Sequence, residues 1–147
     1  MRVERARTVD AAPEVVWDLV SDPHMLPRWW PQVQRVEEAT ATAWTKVLRT
    51  PRGRTIRADF TRVEFDAGRR ISWEQELVDS PFEPILDESL TTVELDPDGA
   101  HATLVTLNVT QALRGRYRYG GGFLLKRATR KQLDEALDGI ERAVVEQ

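Results

Sequence analysis

The chain has 147 residues, of which 41% are hydrophobic, and a chain of this size folds as one domain that is large enough to bury a core. Its 24 acidic residues outnumber its 21 lysines and arginines, and the resulting net charge of -3 at pH 7 argues against a protein whose main partner is nucleic acid. Because the chain has no cysteine, disulfide bonds, thiolate nucleophiles and thiolate metal sites are excluded.

The N-terminal region, residues 1–31, predicts one strand followed by two short helices. Residues 1–10 are rich in valine, threonine and arginine, which indicates a strand, and they contain no apolar run long enough for a signal peptide or a membrane span. We therefore expect a soluble, cytoplasmic protein. Pro13 suits the first turn of a helix that ends at Asp22-Pro23, and a second short helix is predicted at residues 24–29, before Pro31.

The middle of the chain predicts a series of strands. Segments rich in valine, threonine, isoleucine and aromatic residues alternate there with turn sequences such as Pro51-Arg52-Gly53 and Pro97-Asp98-Gly99. Short connections of this kind join neighbouring antiparallel strands, so together with the N-terminal strand they predict a seven-stranded antiparallel sheet. The six predicted strands lie at residues 32–39, 43–50, 54–64, 70–78, 86–96 and 101–111.

The C-terminal segment from Phe123 to Gln147 predicts one long helix of about 35 Å. Its apolar residues recur at three- and four-residue spacing and form one stripe: Leu125, Ala128, Leu133, Ala136, Leu137, Ile140 and Val144. The glycines at 120–122 mark a break that we interpret as a hinge, whereas Gly139 lies inside the helix and costs about 1 kcal/mol relative to alanine. A stripe this long needs a broad partner. We therefore predict an α+β fold in which the sheet curves around the helix, with a cavity where the two diverge.

The N-terminal segment, residues 8–37, resembles the opening signature of the START-like, helix-grip superfamily (SRPBCC). The matching residues are Ala12-Pro13, Val16-Trp17, Asp22, Trp29 or Trp30 with Pro31, and Val33. Pro97-Asp98-Gly99 before Ala102-Thr103 resembles the last hairpin of this superfamily, and the amphipathic C-terminal segment resembles its gripping helix. The superfamily includes polyketide cyclase/dehydrase-type proteins, coenzyme Q-binding proteins and the major birch-pollen allergen. The resemblance implies a single START-like domain, residues 1–147, with the helix-grip fold.

The same resemblance implies a function. Members of the superfamily bind lipids, sterols, polyketides or other hydrophobic molecules, and some are cyclases, so the scaffold does not fix a reaction. We expect the chain to bind a hydrophobic or aromatic small molecule between the sheet and the C-terminal helix, without stable membrane insertion. The alternatives are a polyketide cyclase/dehydratase-type enzyme, and a protein or RNA interaction module that uses the basic segment from Arg114 to Lys131. That segment also fits a solvated rim, and the sequence leaves the oligomeric state open.

Candidate ligand contacts come from the five tryptophans and from the strand faces that are predicted to point toward the helix. Trp29 and Trp30 are adjacent, so we expect one to pack in the core and the other to border the cavity. Gln75 lies on an apolar strand face, where a buried amide needs a hydrogen-bond partner or a ligand; the alternative is a rim glutamine in water. The predicted ligand-binding residues are Trp29, Trp30, Phe60, Trp73, Gln75, Val105, Leu107, Leu125 and Leu133.

No catalytic residue is assigned from the sequence. Proton transfer needs a group held away from water, and the candidate carboxylates also fit the exposed side of a strand: Asp59, Glu74, Glu76, Asp87 and Glu88. His24 and His101 lack a second histidine at ligand spacing, so no metal is expected, and no motif indicates a cofactor. Residues 79–84 and 112–122 are the longest irregular stretches, and we predict that they gate ligand entry.

Overall fold

A computed structural model of the chain describes residues 1–120 and 122–146. The strands are β1 (Arg2–Val9), β2 (Val33–Glu37), β3 (Ala43–Arg49), β4 (Thr55–Asp66), β5 (Arg70–Gln75), β6 (Leu86–Pro97) and β7 (Thr103–Leu113). The helices are α1 (Pro13–Val20), α2 (Leu26–Trp29), α3 (Tyr117–Gly120) and α4 (Gly122–Val145), and a short 3₁₀ turn, Pro23–Met25, leads directly into α2.

The seven strands form one sheet in the order β1-β7-β6-β5-β4-β3-β2, and each neighbouring pair is antiparallel. The long helix α4 packs along β1 and β7 and against α1 and α2. This α+β architecture is the helix-grip fold. It confirms the predicted seven-stranded sheet, the long C-terminal helix and the two short helices between the first two strands.

Tight turns set the register of the sheet. Gly68, between β4 and β5, and Gly99, between β6 and β7, have φ angles of 81° and 83°, in the left-handed region that residues with a Cβ rarely adopt. The hairpin of β3 and β4 pairs Trp44 with Phe60 and Lys46 with Ala58. Because paired residues of antiparallel strands share a face, these side chains lie on the same side of the sheet.

The C-terminal half of α4, residues 133–145, lies at the centre of the core. Its apolar stripe packs against α1, α2 and β1. Burying one such side chain contributes about 1.5–3 kcal/mol, so this half of the helix is firmly held. The apolar residues of this half that are at most 1% exposed are Leu133, Ala136, Leu137, Ile140 and Ala143, whereas Val144 of the predicted stripe is partly buried.

Gly139 allows α4 to approach the backbone at the end of α2. A Cβ at this position would lie 2.3 Å from the carbonyl oxygen of Trp29 and 2.8 Å from its Cα. Even alanine would therefore collide with backbone atoms. The glycine that weakens the helix locally is the residue that makes this close helix contact sterically feasible.

The structure differs from the sequence-based prediction at the ends of several elements. β2 and β5 end at Glu37 and Gln75, earlier than predicted. The stretch at 112–122 is not irregular throughout, since β7 continues to Leu113 and α3 adds one helical turn. Gly121 of the predicted hinge and Gln147 of the predicted helix lie outside the described residues.

Candidate functional site

A cavity of about 530 Å³ lies between the sheet and the N-terminal half of α4, residues 122–132. Strands β3 to β7 supply one wall, Leu125, Ala128, Thr129 and Gln132 of α4 supply the other, and the segments after α2 and before β6 border it. The volume falls in the range of small-molecule sites in proteins. The cavity lies on the inner face of the sheet, where the sequence analysis expected it.

Four of the predicted ligand-binding residues meet on the wall of this cavity: Trp30, Phe60, Gln75 and Leu125. They come from the segment after α2, from β4, from β5 and from α4, so the fold brings together residues that are far apart in the chain. For the adjacent tryptophans, Trp30 is the one that borders the cavity. Contact of these four side chains with a ligand stays a prediction.

The structure places the other five predicted residues in the packed core, and none of them is on the wall of the cavity in the described part of the chain. The three strand residues among them have the inward face that alternation predicts, but core residues cover them, and the two helix residues are part of the same core. Alternation identifies the face of a strand, and it does not show how far along the strand the covering helix extends. These residues, each at most 2% exposed, are Trp29, Trp73, Val105, Leu107 and Leu133.

Lys46 is the cavity residue with the most unusual environment, and the sequence analysis did not identify it. Its side chain is 3% exposed, and Nζ lies 4.2 Å from the ring centroid of Phe60, 4.6 Å from that of Trp30 and 5.3 Å from that of Trp73. Burial lowers the pKa of Lys46 from 10.5 to about 7, and no charged neighbour among the described residues counteracts this effect. The sequence did contain information that points to Lys46. A turn centred on Arg52 pairs Lys46 with Ala58, and because Ala58 is on the predicted inner face, Lys46 faces inward as well.

Amide groups add further polar atoms to the wall. Nε2 of Gln75 is buried and has no hydrogen-bond partner among the described residues. Gln111 donates from Nε2 to Oγ of Ser89 at 3.1 Å, whereas its Oε1 is buried without a partner in the same part of the chain. An unpaired buried polar atom costs about 1–3 kcal/mol, so a ligand with matching polar groups would bring these amides a compensating interaction.

The carboxylates considered for proton transfer do not reach the cavity. Asp59 accepts a hydrogen bond from Oγ1 of Thr45, and Glu76 accepts one from Oγ1 of Thr61. Glu135 is on the cavity wall, but it is half exposed and lies 3.9 Å from Nζ of Lys131. The described residues contain no group of three histidines, aspartates or glutamates that would hold a metal ion. All five candidates from the sequence are exposed: Asp59, Glu74, Glu76, Asp87 and Glu88.

The two predicted gate segments are joined at Arg114. Its backbone N–H donates to the carbonyl oxygen of Ile85 at 2.7 Å, and its guanidinium donates to the carbonyl oxygen of Glu83 at 3.3 Å. The guanidinium also lies 3.5 Å from a carboxylate oxygen of Asp87. Arg114 of the basic segment is therefore paired with Asp87 of β6, while Tyr119 and Phe123 beyond it are exposed. None of the described helices is long and apolar enough to cross a membrane.

Comparison with known proteins agrees with this architecture. The sequence matches the family model for polyketide cyclase/dehydrase and lipid transport proteins over residues 1–145. No curated protein matches the chain. Among solved structures, a START superfamily protein from Mycobacterium smegmatis is similar, with a TM-score of 0.80, 14% identity, and coverage of 99% of this chain and 97% of that chain.

Two further solved structures share the fold. A protein from Thermus thermophilus has a TM-score of 0.74 and 25% identity, with coverage of 99% of this chain and 97% of that chain. The di-domain ARO/CYC StfQ from the steffimycin biosynthetic pathway has a TM-score of 0.78 and 16% identity, and the match covers 99% of this chain and 50% of that chain. The likenesses to the Mycobacterium protein and StfQ, both at low identity, show the fold alone.

Proposed function

Because this chain belongs to the polyketide cyclase/dehydrase and lipid transport family, a START-like family, we propose that it binds a hydrophobic or aromatic small molecule in the cavity beside α4. The observation that carries the proposal is the cavity itself. About 530 Å³ stays unfilled between the sheet and residues 122–132, whereas the stripe of the adjoining half of the same helix is buried in the core. A cavity lined by apolar side chains with a few polar atoms suits a small molecule.

The wall residues support a guest with a flat or flexible apolar body. Phe60 and Trp30 offer rigid ring surface on the sheet side, and Leu125 offers a flexible aliphatic surface on α4. Gln75 and Lys46 supply polar atoms on the same side of the sheet as Phe60. This division between an apolar enclosure and a few polar groups fixes the orientation of a guest as well as its affinity.

Fluorescence energy transfer tests the proposal directly. Pyrenebutanol absorbs near the emission of tryptophan, and Trp30 on the wall and Trp73 behind it are suitable donors. We expect saturable quenching of tryptophan emission. Ala58→Phe fills the cavity from the β4 wall and should weaken binding by about tenfold or more, which corresponds to about 1.4 kcal/mol.

Ala67→Phe is the matched control, because Ala67 is exposed in the turn between β4 and β5 and is remote from the cavity wall. It adds the same side chain and should leave binding unchanged. Saturable binding that Ala58→Phe does not weaken would place the guest elsewhere. A lack of saturable binding by pyrenebutanol and by a panel of lipids, sterols and aromatic polyketides would reject the function.

A second candidate function is a cyclase, and Lys46 is the observation that favours it. A lysine whose pKa is lowered to about 7 can take up and return a proton at neutral pH. In an aldol-type cyclisation, the neutral amine of Lys46 would remove a proton from a carbon between two carbonyl groups. The resulting enolate carbon would bond to a second carbonyl carbon, and the alkoxide formed there would take the proton back from the Lys46 ammonium.

This candidate replaces the proton-transfer group considered from the sequence. Glu74 is exposed and alternates with the inward-facing Trp73 and Gln75, so it points away from the cavity. Incubation with a linear poly-β-ketone tests the idea, because the cyclic aldol loses water to give an aromatic ring whose absorbance can be followed. We expect acceleration over buffer that Lys46→Met abolishes and Glu74→Gln leaves intact. Conversion at the buffer rate with the wild-type protein would reject the cyclase candidate and leave the binding function untouched.

A further inference from the structure

When it is protonated, Lys46 is a buried cation for which the described residues provide no counter-charge. The ring faces of Phe60, Trp30 and Trp73 attract an ammonium group at the observed distances of 4.2 Å, 4.6 Å and 5.3 Å. They do not accept conventional hydrogen bonds, and an ammonium group has three N–H bonds to donate. Aromatic rings therefore hold Nζ in place beside the cavity without accepting a conventional hydrogen bond from it.

The charged groups that share the cavity wall do not neutralise this cation. Glu135 is the acidic residue on the wall, and it lies at the solvent-exposed side, 3.9 Å from Nζ of Lys131. Arg49 is also on the wall and exposed, and it has the same charge as Lys46. An isolated buried charge is strongly unfavourable, so an anion that enters the cavity would gain a partner that the described residues do not supply.

A second donor on the same wall is the side-chain amide of Gln75. Gln75 is opposite Phe60 across the pair β4 and β5, and Lys46 is opposite Ala58 across the pair β3 and β4. The Nε2 atom of Gln75 is buried and has no partner in the described part of the chain. The polar groups that face the cavity from this part of the sheet thus include two donors, one of them cationic, which is the chemistry that recognises a carboxylate.

We propose that the cavity selects an amphipathic carboxylic acid, whose carboxylate pairs with the ammonium of Lys46 and whose apolar body lies against Phe60 and Leu125. The inference rests on the proposed binding function and names the class of its ligand. In the binding function Lys46 pairs with the charge of the ligand, whereas proton transfer by Lys46 belongs to the cyclase candidate alone. Gln75 donates a second hydrogen bond to the same headgroup, and a carboxylate offers both donors a charged acceptor, which a simple alcohol does not.

A matched pair of probes isolates the headgroup. Pyrenebutanoic acid and pyrenebutanol share the apolar body and differ only in the carboxylate. For the wild-type protein, we expect the acid to bind about tenfold more tightly than the alcohol, a difference of about 1.4 kcal/mol. This comparison needs no variant, so it remains decisive whatever the stability of the substituted proteins.

Lys46→Met removes the charge and retains a long apolar side chain. It should remove the preference for the acid, so that the ratio of the two dissociation constants falls to about one, because a buried ion pair depends on both partners. Lys126→Met is the matched control, since Lys126 is on α4 but not on the cavity wall. It should leave the ratio of the two dissociation constants unchanged.

The outcomes separate this inference from the function on which it rests. A preference for the acid that Lys46→Met removes supports the inference. Equal binding of acid and alcohol, or a preference that survives Lys46→Met, overturns the inference while the binding function stands. Saturable binding of neither probe overturns the carboxylate inference, whereas the binding function is rejected only if the wider panel of lipids, sterols and polyketides also fails.

Discussion

The two halves of α4 carry out different tasks although they belong to one helix. In residues 133–145 the apolar residues that face the core are at most 1% exposed, and Gly139 lies against the backbone of Trp29. In residues 122–132 the one buried side chain of the described residues is Thr129, while Phe123 and Leu124 are 73% and 68% exposed. The same helix therefore closes the core at one end and borders a cavity at the other.

The composition of the stripe explains the difference. Thr129 and Gln132 lie four residues before Leu133 and Ala136, and therefore on the same face of the helix. Thr129 donates its hydroxyl to the carbonyl oxygen of Leu125 at 2.8 Å, which satisfies that hydroxyl within the helix. Polar residues at these positions lower the hydrophobic gain from docking on the sheet. One amphipathic helix thus encodes both a clamp, residues 133–145, and a cavity wall.

The largest expected effect concerns Lys46, which the cavity tolerates and a closed core would not. Its pKa is about 7 in the folded protein and 10.5 ordinarily, so the unfolded chain binds more protons between these values. Wild-type stability should therefore rise with pH across that window. Lys46→Met should raise the free energy of unfolding by about 3–5 kcal/mol below pH 7, and this gain should vanish near pH 10.5.

Urea denaturation on both sides of the window measures this effect. Arg49, Lys131 and Glu135, the other charged residues on the cavity wall, are exposed and are present in both proteins, so the comparison of wild type with variant isolates Lys46. A gain that is equal at both ends of the window would mean that the buried lysine stays protonated. The free-energy cost of burying the charged form of Lys46 would then be absent.

The next effect compares one leucine from each half. Leu137 is 1% exposed in the clamp, whereas Leu125 is half-buried on the cavity wall. Leu137→Ala should lower the free energy of unfolding by about 3 kcal/mol, because it leaves an enclosed void. Leu125→Ala should lower it by less than about 1 kcal/mol, because it enlarges a cavity that already exists. Thermal and urea unfolding measure both variants, and an equal loss of stability in the two would contradict the distinction between the halves of α4.

A pair of glycines tests the same contrast at the backbone. Gly139→Ala should destabilise the protein by about 2 kcal/mol, since the clash with Trp29 outweighs the better helix propensity of alanine. At Gly122 a Cβ would meet Leu113 at 3.6 Å, an ordinary contact, so Gly122→Ala should be neutral or stabilising by up to about 1 kcal/mol. Calorimetry of both variants checks the opposite signs, and a stabilising Gly139→Ala would show that the helices are not in backbone contact.

The smallest effect concerns the contact between the gate segments. Arg114→Met removes the guanidinium contacts with Glu83 and Asp87 and keeps the backbone hydrogen bond to Ile85. Exposed ion pairs contribute about 0.2–1 kcal/mol, so stopped-flow association of pyrenebutanol should accelerate by up to about fivefold. Arg116→Met provides the control, because Arg116 lies over Tyr117 rather than in this contact. Identical rates for Arg114→Met and wild type would remove these segments as gates.

The sequence was sufficient to predict the order of the elements because the signals were local. Glycine turns separated the strands, and the spacing of Leu133, Leu137 and Ile140 identified the inward face of α4. The sequence did not show how far the cavity extends along the strands. Val105, Leu107 and Val109 alternate identically, yet only Val109 reaches the cavity wall, because the place where α4 leaves the sheet is a property of the assembled fold.

Lys46 was missed for a different reason. A lysine in a strand most often faces water, and only the register of β3 against β4 places this one inside. Gln75 was identified because a polar residue interrupted an apolar face, a signal that is visible in one strand alone. Functional residues that violate the ordinary preference of their residue type require the pairing of strands before they can be recognised.

Every functional proposal above depends on the space between the sheet and residues 122–132 being a binding site. A crystal structure of the protein with pyrenebutanoic acid is the decisive test. We predict density for the pyrene between Phe60 and Leu125, with the carboxylate at hydrogen-bonding distance from Nζ of Lys46. A structure in which α4 docks along its whole length and side chains fill the cavity, or in which the probe lies elsewhere, would contradict this assignment.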